Sequence, residues 1–192
     1  MRAATAALIV ILGLCAAIVG CARAGDPVAD LQAQVRRAPD SVEARVALGD
    51  AYMAAGMHHN AYIQYNQARE LDPRSYEALY GVARAHEALG NVPGGLETVE
   101  RALKARPDSV DALILRARLH VRSKKPDQAA ADFRRALELD PDNEEALIGL
   151  PDAYIRAEEL GAAEAAARKA VERLPQSPKA VLTLGLVLGM RG

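Results

Sequence analysis

Residues 110–143 read VDALILRARLHVRSKKPDQAAADFRRALELDPDN. Leu113 and Ala117 fall in a first apolar run, and Ala129, Phe133 and Ala136 recur at spacings of four and three in a second. Such spacings put each set on one face of a helix. Asp140-Pro141 stops the second helix, because the residue before a proline avoids the helical region, and Asp142-Asn143 offers side-chain acceptors to cap the next one. The stretch reads as one helical hairpin. Outward from it, the closing proline returns at Pro39, Pro73, Pro107, Pro141 and Pro175, always 34 residues apart. That period divides the chain into four full units, 42–75, 76–109, 110–143 and 144–177, and a partial fifth at 178–192. A single hairpin cannot bury its own apolar face, so the units must stack to complete a core.

The whole chain supports an all-helical reading. Apolar residues make up 51% of it and aromatic residues only 4%, so Ala, Leu and Val carry the hydrophobic content and suit closely spaced helices. With 24 basic and 25 acidic groups the net charge is -1; that lacks the electrostatic footprint of a nucleic-acid binder, and no nucleic-acid partner is expected.

The units resemble tetratricopeptide repeats, in which Leu, Gly and Tyr mark a first helix, Ala and Phe a second, and Pro the end. The first unit supplies Leu48, Gly49, Tyr52, Ala61, Tyr65, Ala68 and Pro73; the fourth supplies Leu147, Leu150, Tyr154, Ala163, Ala167, Ala170 and Pro175. The resemblance implies an all-α, right-handed superhelical solenoid of antiparallel helix pairs. Three departures stand out. Arg45, Leu79, Leu113 and Leu147 occupy the usual Trp position, and Pro151 lies deep inside a first helix, where a kink is expected. Residues 178–192 form a very apolar first helix with no second helix to cover it, which reads as a fragment, a packing surface for a second copy or partner, or a frayed end. Residues 28–38 hold a second-helix register before Pro39 and are expected to cap the amino-terminal side.

In this family the first helices line the concave face, and defined places in each unit point into it. Carried over, the fifth places are Val46, Tyr80, Ile114, Ile148 and Leu182, an apolar stripe. The ninth places are Asp50, Arg84, Arg118 and Asp152, and the thirteenth are Ala54, Ala88, Arg122 and Arg156. Two readings stay open. The arginines suit the carboxylates of an extended apolar and acidic peptide, or they pair with the groove's own Glu77, Glu87, Asp111, Glu145 and Asp152. The Lys and Asn clamp by which some relatives hold a chaperone terminus is missing, since its places hold Val46, Asp50, Gly81, Asp111 and Leu115. Tyr62, Tyr65, Tyr76 and Tyr80 cluster in two units, as an interface or as core and groove wall.

Residues 1–24 carry no acid, and their apolar stretch from Leu8 to Val19 is shorter than the roughly 20 residues a membrane-spanning helix needs. A cleaved export signal over residues 1–20 is expected. Ile18-Val19-Gly20-Cys21 resembles the lipobox of bacterial lipoproteins, which implies a diacylglycerol on Cys21 and attachment to the membrane through lipid. Residues 21–41 then form the lipidated Cys, a linker and the capping helix. Ala22 is not the Asp that retains enteric lipoproteins at the inner membrane, so the outer membrane, facing the periplasm, is expected. Cys15 lies in the discarded segment, leaving Cys21 without a disulfide partner.

No glycine-rich phosphate loop, HExxH or CxxC occurs. His86 and His120 take the place that Tyr52 and Tyr154 hold in sister units and read as structural; His58-His59 falls in an expected turn. No catalytic site, cofactor or metal is expected. The reading is a tethered scaffold or adaptor that binds a peptide or protein, comparable with lipoproteins of this repeat that serve pilus, secretion or cell-wall assemblies. The alternatives are the amino-terminal part of a longer enzyme or secretion component and a periplasmic chaperone-like holder.

Overall fold

The computed structural model describes residues 27–192; the segment expected to be an export signal and Cys21 lie outside them. Ten helices follow in order among the described residues: α1 (Pro27–Arg37), α2 (Val42–Ala54), α3 (His58–Leu71), α4 (Tyr76–Ala88), α5 (Val92–Ala105), α6 (Val110–Arg122), α7 (Pro126–Leu139), α8 (Glu144–Arg156), α9 (Leu160–Arg173) and α10 (Pro178–Arg191). They pair as α2–α3, α4–α5, α6–α7 and α8–α9, one hairpin per unit, with α1 before and α10 after. Each helix packs on its neighbours in sequence. The first helices α2, α4, α6, α8 and α10 also touch one another in succession, whereas among the described residues no second helix touches the next second helix. A stack whose first helices are the closer set curves with those helices on the inside.

What lets the first helices come so close is a slot around one side chain of the second helix. Tyr65 of α3 is completely buried, and a Cβ added at Gly49 of α2 or at Gly81 of α4 would overlap its ring. Phe133 of α7 repeats the arrangement against Gly149 of α8. In the second unit the equivalent place holds Val99, and the position equivalent to Gly81 and Gly149 holds Leu115, both buried. Large meets nothing, or medium meets medium. Interiors packed to crystal-like density leave no other choice.

The ends of the first helices follow the 34-residue period too. Ser41, Ser75, Ser109 and Asn143 accept from the amides of Ala44, Ala78, Ala112 and Ala146 at 3.1–3.2 Å, so the second member of each Asp-Ser or Asp-Asn pair makes the cap, and Ser75 joins the set. At the other end the chain reverses through Gly56, Gly90, Lys124 and Glu158, all at positive φ of 58–78°. The amides of Met57, Asn91, Lys125 and Glu159 reach back to carbonyls of Tyr52, His86, His120 and Tyr154, the closure of a Schellman motif. This turn corrects the placement of His58 and His59. Residues 55–57 make the reversal, with Gly56 at φ 71°, so the two histidines open α3 rather than sit in the loop.

Pro151 lies buried in α8, which continues through it from Glu144 to Arg156. Having no N–H, the proline leaves the ladder one bond short at the carbonyl of Leu147. At the amino-terminal side Val28, Leu31 and Val35 of α1 pack on the cluster of Leu48, Tyr52 and Ala61, and Gln32 donates to the Tyr52 hydroxyl at 2.8 Å. α10 buries Ala180 and Val187 but leaves Leu182 at 74% exposure.

Two stability outcomes are expected. Gly81→Ala and Gly149→Ala each push a Cβ into a buried ring and lower unfolding free energy by about 1–3 kcal/mol, read from urea melts. Lys124→Gly and Glu158→Gly relieve a left-handed backbone that costs an L-residue about 1–2 kcal/mol; after glycine's greater unfolded-state entropy, each raises stability by about 0.5 kcal/mol.

Candidate functional site

Every residue assigned to the groove from the sequence lies on a first helix, hence on the inner side. The apolar stripe is less even than expected. Val46, Tyr80 and Ile148 are half-buried, while Ile114 is only 4% exposed and belongs to the core between α6 and its neighbours. Three clefts open along this face. One of about 470 Å³ lies beside Val42, Val46, Asp50 and Glu77. A second, of about 210 Å³, is lined by Tyr80, Asp111, Ile114, Arg118, Glu144 and Glu145. The third, of about 620 Å³, lies between α6 and α8 over Phe133, Ile148 and Gly149, rimmed by Glu87, Arg118, Arg122, Asp152 and Lys179. Arg84 and Arg156 line none of the three.

The arginines of this face are engaged within the chain. Arg84 donates to Asp50 at 2.9 Å, one unit away. Arg118 forks onto both carboxylate oxygens of Glu87 at 2.7 Å and reaches Glu145 on its other side. Burial works against the charged form of Arg118, but its hydrogen bonds to Glu87 and Glu145 outweigh this and hold the guanidinium above its usual range. Arg122 donates to the backbone carbonyl of Glu87 at 2.8 Å, and Arg156 to Asp152 at 2.8 Å within α8. Of the acids proposed as partners, Glu77 takes Arg106 of the α5–α6 loop. Asp111 has no ion pair among the described residues.

Tyrosines join this face to the core. Tyr65 sends its hydroxyl between the first helices to donate to Asp50 at 2.7 Å, the acid that also holds Arg84; burial and then that bond raise its phenol. Tyr76 and Tyr80 stack at 5.6 Å, and the guanidinium of Arg106 lies 3.9 Å over the Tyr76 ring. Burial first, then the charge of Asp111, push the Tyr80 phenol up to about 12. Tyr62 packs on His86 with ring centroids 4.9 Å apart. Thus Tyr65 is core, Tyr80 lines the groove with Tyr76 stacked on it, and Tyr62 packs the first unit on the second. Phe133, Gly149, Glu144 and Lys179 line the groove without being among the places that the sequence points to. The signal for Gly149 was its equivalence to Gly81.

Away from the groove, the third hairpin holds a buried polar group. Arg116 forks onto Asp132, with Nε at 2.9 Å from Oδ2, and His120 Nε2 lies 3.7 Å from the same oxygen. Among the described residues no three His, Cys, Asp or Glu side chains are placed to hold a metal, and no helix is long and apolar enough to cross a membrane.

The family model of the tetratricopeptide repeat matches residues 54–119 and 120–185. Among solved structures, MamA shares 20% identity at a TM-score of 0.72, covering 78% of this chain and 87% of that one. YrrB, a TPR protein with an unusual peptide-binding site, shares 18% at 0.72, over 84% and 83%. TTC0263, a thermophilic TPR protein of Thermus thermophilus, shares 20% at 0.68, over 84% and 88%. Superkiller complex protein 3 of Homo sapiens is 36% identical over 63 residues, which is 33% of this chain and 4% of that protein's length. At such identities the structural likeness concerns the fold.

Burial holds His86 and His120 below the ordinary 6.5. Histidines that charge less readily folded than unfolded contribute stability that is complete above about 6.5 and lost as pH falls toward the lowered folded values. Urea midpoints should therefore drop between pH 7.5 and 5.5. The His86→Gln, His120→Gln double variant should flatten that slope; an unchanged slope would refute the assignment.

Proposed function

The chain belongs to the tetratricopeptide repeat family, whose arrays are protein-interaction scaffolds, and from that premise we propose a scaffold tethered to the bacterial cell envelope that holds an extended peptide or partner protein in its inner groove. The observation that carries this reading is the cleft between α6 and α8, open over Phe133 and Ile148 and bordered by both signs of charge. Apolar floors with a few placed charges are the usual form of a peptide site. No step of chemistry is assigned to any residue; the role is to gather and position. Since a fold hosts many functions, the partner's identity is set by the groove's own side chains.

The tether rests on the sequence. Residues 22–26 are all that separate Cys21 from α1. At about 3.3–3.6 Å per extended residue, an acylated Cys21 would keep the solenoid within roughly 20 Å of the bilayer. A single acyl chain binds only marginally, so stable attachment needs more than one. A partner bound in the groove would then be brought to the membrane surface, as an assembly factor for a pilus, secretion or cell-wall complex requires. The exposed apolar side of α10, with Leu182, Leu186 and Leu188, favours a second reading in which the array is part of a longer enzyme or secretion component.

Intact mass of protein extracted from membranes tests both. A species of residues 21–192 plus diacylglycerol and acyl chain, which Cys21→Ser converts to an unlipidated one found in the soluble fraction, is the expected result. An unlipidated wild-type chain would remove the tether and leave a soluble holder, and a longer species would favour the second reading.

A further inference from the structure

The charges of the inner face do not stand as a list of arginines suggests. Arg84, Arg118 and Arg156 each spend their charge on an acid of the chain, and Arg122 is held at the carbonyl of Glu87. Around the smaller cleft, what is left unpaired is acidic. Asp111 of α6 and Glu144 of α8 have no ion-pair partner among the described residues. They face the smaller cleft together with Glu145 and the ring of Tyr80. The one guanidinium lining that cleft, Arg118, is already shared by Glu87 and Glu145. The larger cleft adjoins it, since Arg118, Glu144 and Glu145 line both. Its floor is apolar, made by Phe133, Ile148 and Gly149. Its remaining cations, Arg122 and Lys179, stand on its own rim and would repel a positive group there.

Resting on the groove reading above, we propose that the inner face selects an extended peptide that sets a large aliphatic side chain over Phe133 and a neighbouring lysine or arginine between Asp111 and Glu144. The cation meets three carboxylates and one guanidinium already neutralised, and the Tyr80 ring gives it a π face. Alternate residues of an extended peptide share a face, so the two side chains stand two positions apart. The selected partner is basic and apolar, not acidic.

The test is fluorescence anisotropy of labelled peptides titrated with the full chain. GKALAKG carries lysines on both sides of leucine, and GEALAEG, GQALAQG and GKASAKG are its comparisons. The expected result is binding of GKALAKG about tenfold tighter than GEALAEG, with GQALAQG between, the gap shrinking at high salt. Asp111→Asn with Glu144→Gln, both exposed positions, should bring GKALAKG to the level of GQALAQG. Serine for leucine in GKASAKG should weaken binding by about tenfold. Equal binding of the lysine, glutamine and glutamate peptides, or a preference for glutamate, overturns the charge selection and leaves the groove reading standing. GKASAKG binding as well as GKALAKG overturns the aliphatic seat, and no binding of any peptide overturns both readings.

Discussion

The close approach of successive first helices around a single second-helix side chain governs this array. At Tyr65 and at Phe133 an aromatic ring fills the slot, and the facing helix offers glycine, Gly81 or Gly149, because even a methyl group would overlap the ring. At Val99 the load is shared with Leu115. Small spacing between first helices, with second helices kept apart, is what curves the stack and creates an inner face at all. The groove is thus a by-product of how the core is filled, and the site inherits its shape from residues buried beneath it.

Tyr65 makes that dependence concrete. Its ring fills the slot while its hydroxyl holds Asp50, and Asp50 in turn holds Arg84 of the next unit. Arg118 ties the second, third and fourth units through Glu87 and Glu145. Pairs of this exposure contribute little singly, about 0–1 kcal/mol each. Their larger effect is on the field in the groove, which they neutralise at the arginines and leave negative at Asp111 and Glu144.

The architecture was legible in the sequence because each of its causes is local and periodic. Five prolines 34 apart fix the unit, and the Ser and Asn caps stand at the same interval. The residues that the resemblance assigns to the groove all stand on first helices. What escaped was whatever depends on a neighbour from another unit. Whether Arg118 is free or clamped is decided by Glu87 and Glu145, on different helices. How little of Ile114 reaches the groove is set by the packing around α6. Lys124 and Glu158 carry no local mark of positive φ; only their register with Gly56 and Gly90 gives them away. The same register puts the reversal at Gly56 and so sets His58 and His59 on the helix that follows it.

The pairing of rings with glycines also bears on how such an array can change length by gain or loss of whole units. Losing residues 76–109 would set Tyr65 against Leu115, two large groups in one slot. Losing residues 110–143 would set Val99 over Gly149 and leave a hole. Removing both together would bring Tyr65 onto Gly149, a match as good as the one it has with Gly81. The units look interchangeable by period, yet the slots at Tyr65 and Phe133 differ from the one at Val99, so losing the second and third units together keeps a match that losing either alone would break.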